Sequence, residues 1–456
     1  LAESAAKDPM KEGLRMAKKH LIWNERYECM PDSKKKELQL ERLKLLVSRV
    51  YDKVAPYKAK MDAAGIAPKD IKKLEDIAKL PFTTKEDLAA NYPFGMFAVP
   101  MKKIIRIHSS SGTTGKPKVA GYTKNDIKMW ADVMARTLTC GNTTKNDVVQ
   151  NAYGYGLFTG GLGAHYGVEK IGATVVPISG GNTKRQILVM KDFGVTKMCC
   201  TPSYCLFLSE ALREAGLEPG RDIKLNTAFL GAEPWTRELR EQVEKNISID
   251  AIDIYGLTEV IGPGVSSECM EKVGLHIFDD NFYPEVVDPD TQQPLPLGEK
   301  GELVFTTLTK EAFPVVRYRT RDITRLIPEK CACGRTHIRM ERLTGRTDDM
   351  LIIRGVNVYP SQIESVIVQI PGLEPHYQIL VDRQGAMDML EVWIEVSPGI
   401  FTDNIKGLEK LEKRIRGEME SVLGIGVKLK LVEPKAIQRS EGKAQRIIDR
   451  RTVYDK

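Results

Sequence analysis

Ser109-Ser110-Ser111-Gly112-Thr113-Thr114-Gly115-Lys116-Pro117-Lys118 decides how the chain is read, because it lies between a short apolar run at 104–107 and a segment at 124–138 that reads as a helix. Five hydroxyl side chains, two glycines and two lysines in ten residues can wrap phosphate oxygens with backbone N–H groups, hydroxyls and positive charge. The spacing is not that of a P-loop: Gly112 and Gly115 are only three apart, and Pro117 stands where Ser or Thr should follow the lysine. That counts against a GTPase-like or kinase-like chain. Taken alone, a Ser/Gly/Thr run is equally the chemistry of an ordinary turn, so its surroundings decide.

Strand–loop–helix alternation continues downstream. Apolar strands are expected at 148–151, 174–177, 197–201, 227–230 and 250–254, with helical segments between them. This rhythm predicts an α/β fold in which mixed or parallel sheets are covered by helices and ligands gather at strand C-terminal ends. The loops at those ends read Ala152-Tyr153-Gly154-Tyr155-Gly156, Thr201-Pro202-Ser203, Gly231-Ala232-Glu233-Pro234 and Tyr255-Gly256-Leu257-Thr258-Glu259. Upstream, residues 1–80 read as a helical layer, with Leu38, Leu40, Leu43, Leu45, Leu46 and Val50 at helical spacing. Thr83 or Thr84 is placed to cap a further helix whose first turn holds Glu86 and Asp87. After about 275 the texture becomes β-rich, and from 345 a final segment has its own alternation of helix and strand. The expected division is a large N-terminal domain, 1–344, and a small mobile C-terminal α+β domain, 345–456.

The chain has 456 residues, enough for a large core. Its net charge of +7 is spread along helical segments among acidic residues, which argues against nucleic-acid binding and suits anionic small substrates. No tract is long enough to cross a bilayer, and the first sixty residues lack the apolar core of a secretory signal, so a cytoplasmic protein without membrane association is expected. In that setting the eight cysteines are thiols or metal ligands rather than a disulfide framework, and Cys199, Cys200 and Cys205 read as buried small hydrophobes.

The 109–118 loop, Gly231-Ala232-Glu233, Tyr255-Gly256-Leu257-Thr258-Glu259, Tyr318-Arg319-Thr320-Arg321-Asp322, Gly345-Arg346-Thr347-Asp348 and Gly442-Lys443 occur in the order seen in adenylate-forming acyl-CoA synthetases. Within that superfamily the chain resembles the phenylacetate-CoA ligases, on Pro81-Phe82-Thr83-Thr84-Lys85-Glu86-Asp87-Leu88, Asn91-Tyr92-Pro93-Phe94-Gly95, Gly274-Leu275-His276-Ile277 and Cys331-Ala332-Cys333-Gly334-Arg335-Thr336. The resemblance runs from about residue 20 to 450. It implies a two-step reaction: a carboxylate attacks the α-phosphate of ATP to give an acyl adenylate and pyrophosphate, then the thiol of coenzyme A displaces AMP.

The resemblance also implies roles. Ser109, Ser110, Ser111, Gly112, Thr113, Thr114, Gly115 and Lys116 would clamp the β- and γ-phosphates. Thr258 and Glu259 would sit at the α-phosphate, with Glu259 a ligand of Mg2+; taken alone, Glu259 reads as a helix-start carboxylate. Gly231, Ala232 and Glu233 resemble the adenine-pocket segment, with Asp253, Tyr255 and Gly256 beside it, and Asp322 matches the ribose-binding aspartate. The chain departs from most of the superfamily in having Arg321 rather than glycine before that aspartate. Lys443 matches the lysine that stabilises the adenylation transition state, Asp348 the hinge of the small domain, Gly355 the pantetheine tunnel, and Arg346 a phosphate contact. Homodimerisation is implied in the same way.

Two readings come from the residues themselves. Tyr153, Tyr155, Phe158 and Gly161 offer aromatic faces separated by small residues, which suits a flat aryl acid, although each ring could equally pack the core. Cys331 and Cys333 form a C-x-C pair on a turn, half of a zinc site completed from Cys269, His276 or His337; the set Cys269, His276, Cys331 and Cys333 is the expected one, with free buried thiols the alternative. The function expected is ATP-dependent ligation of an aryl or arylacetic acid, phenylacetate first, to coenzyme A. Alternatives are another acid such as indoleacetate, an adenylating enzyme like the coenzyme F390 synthetases, or a non-catalytic nucleotide-binding protein that kept the fold. Lys443, Glu259 and Asp322 together speak against the last.

Overall fold

The computed structural model describes residues 20–110, 117–343, 345–346, 351–354, 356–384, 387–400, 405–439 and 446–451. Of the residues singled out above, Ser111, Gly112, Thr113, Thr114, Gly115, Lys116, Asp348, Gly355 and Lys443 lie outside these.

The N-terminal layer is helical where described, with its long helix at Asp32–Lys53 burying Leu43, Leu46, Val47 and Val50 along one face. Thr84, not Thr83, caps the helix Lys85–Ala90: its hydroxyl accepts from the N–H of Asp87, whose carboxylate returns a bond to Thr84 N–H. Thr83 is buried, its hydroxyl donating to Val316 O at 2.5 Å, and its backbone bridges to Tyr318 and so ties this layer to the β-rich part.

The strand before the Ser/Gly loop is β1 (Arg106–Ser109), shifted from 104–107, and it belongs to no parallel sheet. It pairs antiparallel with β2 (Val119–Tyr122), Ser109 opposite Val119, so the loop closes a two-stranded hairpin. Pro117 and Lys118 lead into the return strand, and Lys118 donates its N–H to the Ser110 hydroxyl at 3.1 Å, fastening the base of the loop. Thr123 then caps the helix Lys124–Cys140 through the N–H of Asp126.

The five strands expected downstream form in register: β3 (Val148–Asn151), β4 (Thr174–Val176), β5 (Lys197–Cys200), β6 (Thr227–Leu230) and β7 (Asp250–Leu257). They lie in the order β4-β3-β5-β6-β7, all parallel, with β5 and β6 wholly buried as strands covered on both faces must be. β7 is the pivot. Its first half pairs parallel with β6, and its second half turns antiparallel onto β8 (Gly262–Ser267), from which β9 (Leu275–Ile277) continues the sheet. Strands at Leu326–Ile327 and Arg339–Met340 complete nine. Gly256 is required here, because a Cβ on it would lie 1.9 Å from Gly262 O.

A four-stranded antiparallel sheet follows, built from β10 (Phe282–Val287), β11 (Gly301–Thr307), β12 (Tyr318–Thr324) and a short strand at Gly345–Arg346. The smaller C-terminal domain has its own hydrophobic cluster, in which the helices Pro360–Gln369 and Ile405–Leu423 pack on a sheet of long antiparallel strands, Leu373–Gln384 and Met387–Val396. Cys199, Cys200 and Cys205 are buried thiols, and all eight cysteines are free. Among the described residues no helix is long and apolar enough to cross a membrane.

Candidate active site

Thr258 and Glu259 occupy the tight turn between β7 and β8, where the sheet changes from parallel to antiparallel pairing. No helix begins there, which removes the helix-dipole explanation of a buried carboxylate at 259. What holds Glu259 is side-chain chemistry: the Tyr318 hydroxyl donates to its Oε1 at 2.9 Å, and Lys118 Nζ stands 3.5 Å from the same oxygen. The base of the Ser/Gly loop is thereby joined to the end of β7 and the start of β12. Beneath this corner the buried His108 packs edge-on to Tyr122 and Trp130, with Nδ1 3.0 Å from Leu157 O.

Lys310, in the loop after β11, is buried between the faces of Tyr122 and Phe313, 4.8 and 5.0 Å from the ring centres. Its amine has no hydrogen-bond partner among the described residues. Burial lowers its pKa to about 7, against the pull of Asp126 and Glu259. Sequence reasoning misses Lys310: in Thr309-Lys310-Glu311 it reads as solvated turn charge, and only the packed structure buries it.

One edge further along, Tyr255 donates its hydroxyl to Asp322 Oδ2 at 2.6 Å, bringing the ends of β7 and β12 together. Arg346 lies in register with Asp322 on the neighbouring strand. Arg321 has φ of +71°, the left-handed region in which glycine is at ease, and Glu302 Oε1 accepts its N–H at 3.1 Å. The superfamily's preference for glycine here thus has a backbone cause. Asp253, two residues before Tyr255, is paired with Arg342 at 3.0 Å, and that guanidinium covers the Trp235 ring. Gly231 runs against β7, a Cβ there falling 2.4 Å from Ile254 O, and Ala232 follows with φ of +74°. Glu233 Oε1 accepts the N–H of Ser203 at 2.7 Å, in the first turn of the helix Pro202–Glu214.

The aryl-pocket residues behave unequally. Tyr153 is buried in the main core, whereas Phe158 is 41 % exposed. Between them, the Tyr155 hydroxyl accepts from Asn151 Nδ2 at 2.7 Å and meets His165 Nδ1 at 3.2 Å, and burial pushes its pKa up to about 12. Gly161 lets the helix Thr159–Ile171 approach Gly154, where a Cβ would lie 2.5 Å from the carbonyl oxygen.

Away from this corner, the ligand atoms of Cys269, His276, Cys331 and Cys333 all lie within 4.8 Å of one another. Cys269 Sγ is 3.7 Å from Cys331 Sγ, and Cys333 Sγ is 3.4 Å from His276 Nε2. Tetrahedral zinc bonded to sulfur and nitrogen has edges of about 3.8 Å (S–S) and about 3.5 Å (S–N), so the donor set fits. His337 is not in the group; its Nδ1 meets Asp279 at 2.7 Å. Arg335, buried and paired with Glu28 at 2.6 Å, supplies positive charge next to the thiols.

A strand-end carboxylate beside a Ser/Gly loop, an aspartate bonded to the tyrosine of the adjoining strand, and a separate C-terminal domain define the class of AMP-binding enzymes, and the comparisons agree. The AMP-binding enzyme family matches residues 32–308, and the AMP-binding enzyme C-terminal domain matches 355–451. A phenylacetate-coenzyme A ligase of Thermus thermophilus is 50% identical over 445 residues, covering 94% of this chain and 100% of that protein. Among solved structures, 2-hydroxyisobutyryl-CoA ligase in the postadenylation state with 2-HIB-AMP aligns with a TM-score of 0.88 at 30% identity, covering 94% of this chain and 92% of that one. The same ligase with 2-HIB-AMP and CoA in the thioesterification state gives 0.69 over the same shares. The chain belongs to the phenylacetate-coenzyme A ligase family.

Proposed function

We propose that this chain joins an arylacetic acid, phenylacetate first, to coenzyme A through an acyl adenylate, with release of AMP and pyrophosphate. The observation that carries the proposal is the meeting of Glu259, Tyr318 and Lys118 at the base of the Ser/Gly loop in a chain half identical to a phenylacetate-coenzyme A ligase. A carboxylate is a poor acyl donor because its leaving group would be oxide, and adenylation replaces that with a phosphate.

In this reading Ser109 to Lys116 hold the β- and γ-phosphates. Glu259 is the ligand of Mg2+, which neutralises phosphate charge when bound. Asp322, kept oriented by Tyr255, accepts hydrogen bonds from the ribose hydroxyls, and the segment from Gly231 together with Gly256 borders adenine. Tyr153, Tyr155, Phe158 and Gly161 wall the acid. Lys443 stabilises the charge that develops on the attacked phosphate, and Arg346 contacts phosphate. The domains divide at 344/345, and the smaller one swings about Asp348 so that Gly355 borders the coenzyme A thiol arm. The higher TM-score against the postadenylation complex than against the thioesterification complex supports such a two-pose domain. Family resemblance alone supports a cytoplasmic homodimer. The test is acid-dependent pyrophosphate release with ATP, Mg2+ and a panel of aryl acids, with and without coenzyme A. Release with phenylacetate, and thioester only when coenzyme A is present, is expected; no acid-dependent release across the panel overturns the proposal.

A second reading concerns the Cys/His group, which we infer to be a structural zinc site on its donor spacing. Elemental analysis of the purified protein should find about one zinc per chain, absent from a Cys333→Ser variant. Zinc-free folded wild-type protein would leave these as buried thiols.

A further inference from the structure

Arg446 stands three residues after Lys443 and immediately precedes the strand Ile447–Asp449 of the small domain, which pairs with Leu373–Gln384. Its backbone is fixed there, since Ile379 donates its N–H to Arg446 O at 2.7 Å. Its side chain then crosses to the other domain. One Nη bonds the Tyr377 hydroxyl at 2.9 Å and pairs with Glu364; the other donates to Ser203 Oγ at 3.1 Å.

Glu364 is itself two-sided. It is buried in the small domain's helix Pro360–Gln369, where Oε2 accepts from Tyr377 at 2.9 Å. Its Oε1 accepts the N–H of Thr236, the N-cap of a large-domain helix, at 3.2 Å. Around this core the small domain also touches the helix Pro202–Glu214 through His376 and Arg439 on Glu210, at 2.6 and 3.7 Å. In the central group Glu364 and Tyr377 are buried and Arg446 is partly buried, and Ser203 and Thr236 are what it grips on the other side.

Three residues span at most about 11 Å of chain. A guanidinium clamped at 446 therefore limits where the ammonium of residue 443 can be delivered.

We propose that Arg446 is a positioning residue for adenylation, registering the chain that carries Lys443 against the large domain through Ser203 while Glu364 locks the same junction through Thr236. The proposal rests on the reading of Lys443 above. That reading gives the Ser203 hydroxyl no contact with ATP or acid, and the backbone N–H that Ser203 donates to Glu233 is kept in Ser203→Ala, so the variant isolates this grip. When the small domain rotates, these interdomain contacts must break, so they bear on the first half-reaction and not the second.

The test measures both half-reactions: ATP–pyrophosphate exchange with phenylacetate for adenylation, and thioester formation from supplied phenylacetyl adenylate and coenzyme A. Lys443→Ala is the control and should lose exchange while still consuming the adenylate. Ser203→Ala should lower kcat for exchange by about tenfold, the size of one hydrogen bond to a charged group, with KM for the acid and the thioester step unchanged. Arg446→Met should lose more, and Arg446→Lys should recover part of it. Exchange within about twofold of wild type in Ser203→Ala, while Lys443→Ala is inactive, overturns this inference and leaves the Lys443 reading standing. Equal loss of both half-reactions in Ser203→Ala also overturns it, as that is the mark of a merely structural residue. Full exchange in Lys443→Ala overturns the Lys443 reading and this inference with it. Should Arg446→Met fail to fold, the surface-truncating Ser203→Ala carries the test by itself.

Discussion

The corner around Glu259 and the group around Cys269 are both sets of buried polar side chains, and they differ in what their donors face. In the Cys/His group four ligand atoms lie within 4.8 Å of one another, a closed donor set that in the proposed reading a single zinc would satisfy. Around Glu259 the charged groups are tied to neighbours on different elements: Glu259 to Tyr318 and Lys118, Asp322 to Tyr255, Asp253 to Arg342. Lys310 stays buried with no hydrogen bond among the described residues. A closed donor set holds a structure together, whereas an open one keeps charge ready for a ligand. The difference teaches that buried polar groups are read by what they point at, not by their number.

The sharpest way to break the comparison is Glu259→Gln. Adenylation should fall by about a hundredfold or more, and the Mg2+ concentration needed should rise, because a ligand and a counter-charge at the phosphates are both lost. Unchanged Mg2+ dependence in the exchange assay would place the metal elsewhere. At the closed site, Cys333→Ser should act on stability first: melting should fall by several degrees with half-reaction rates near normal below the transition. Equal loss of activity and stability would erase the distinction between the two sites.

Lys310 probes the open site through pH. The folded chain releases the Lys310 proton above about 7 and the unfolded chain only near 10.5, so between those values the unfolded state binds more protons and stability rises with pH. The slope should approach about 1.4 kcal/mol per pH unit in urea unfolding between pH 7.5 and 9.5, and should vanish in Lys310→Met. Identical slopes in the two proteins would show that the amine is not held neutral. The smallest effect belongs to Arg321→Gly, which relieves a left-handed conformation but gives up a 3.7 Å contact with Glu302. Melting should shift by no more than about 1 kcal/mol equivalent.

Legibility followed locality. β3, β5, β6 and the start of β7 are readable from short apolar runs, because a strand buried on both faces leaves a continuous hydrophobic signal. The first strand is offset from the local signal for the same reason: the isoleucines at 104, 105 and 107 mark 104–107, yet pairing with β2 across the loop sets the register at 106–109, and pairing is not a local property. The Cys/His set was legible only as a choice among partners, since Cys269 and His276 are over fifty residues from Cys331 in the chain. The structure selects His276 and gives His337 to Asp279.

By itself, then, the sequence determined the α/β class, the helical layer, the loops at the strand ends and the family, because each is written in local pattern or in motifs met in order. Only the tertiary structure decided what those residues do to one another. It closed the Ser/Gly stretch into a hairpin, placed Glu259 on a turn rather than a helix start, buried Lys310 against two aromatic rings, and carried Arg446 across to Ser203. Each of these depends on contacts between residues far apart in the chain, and no local window of sequence contains both partners.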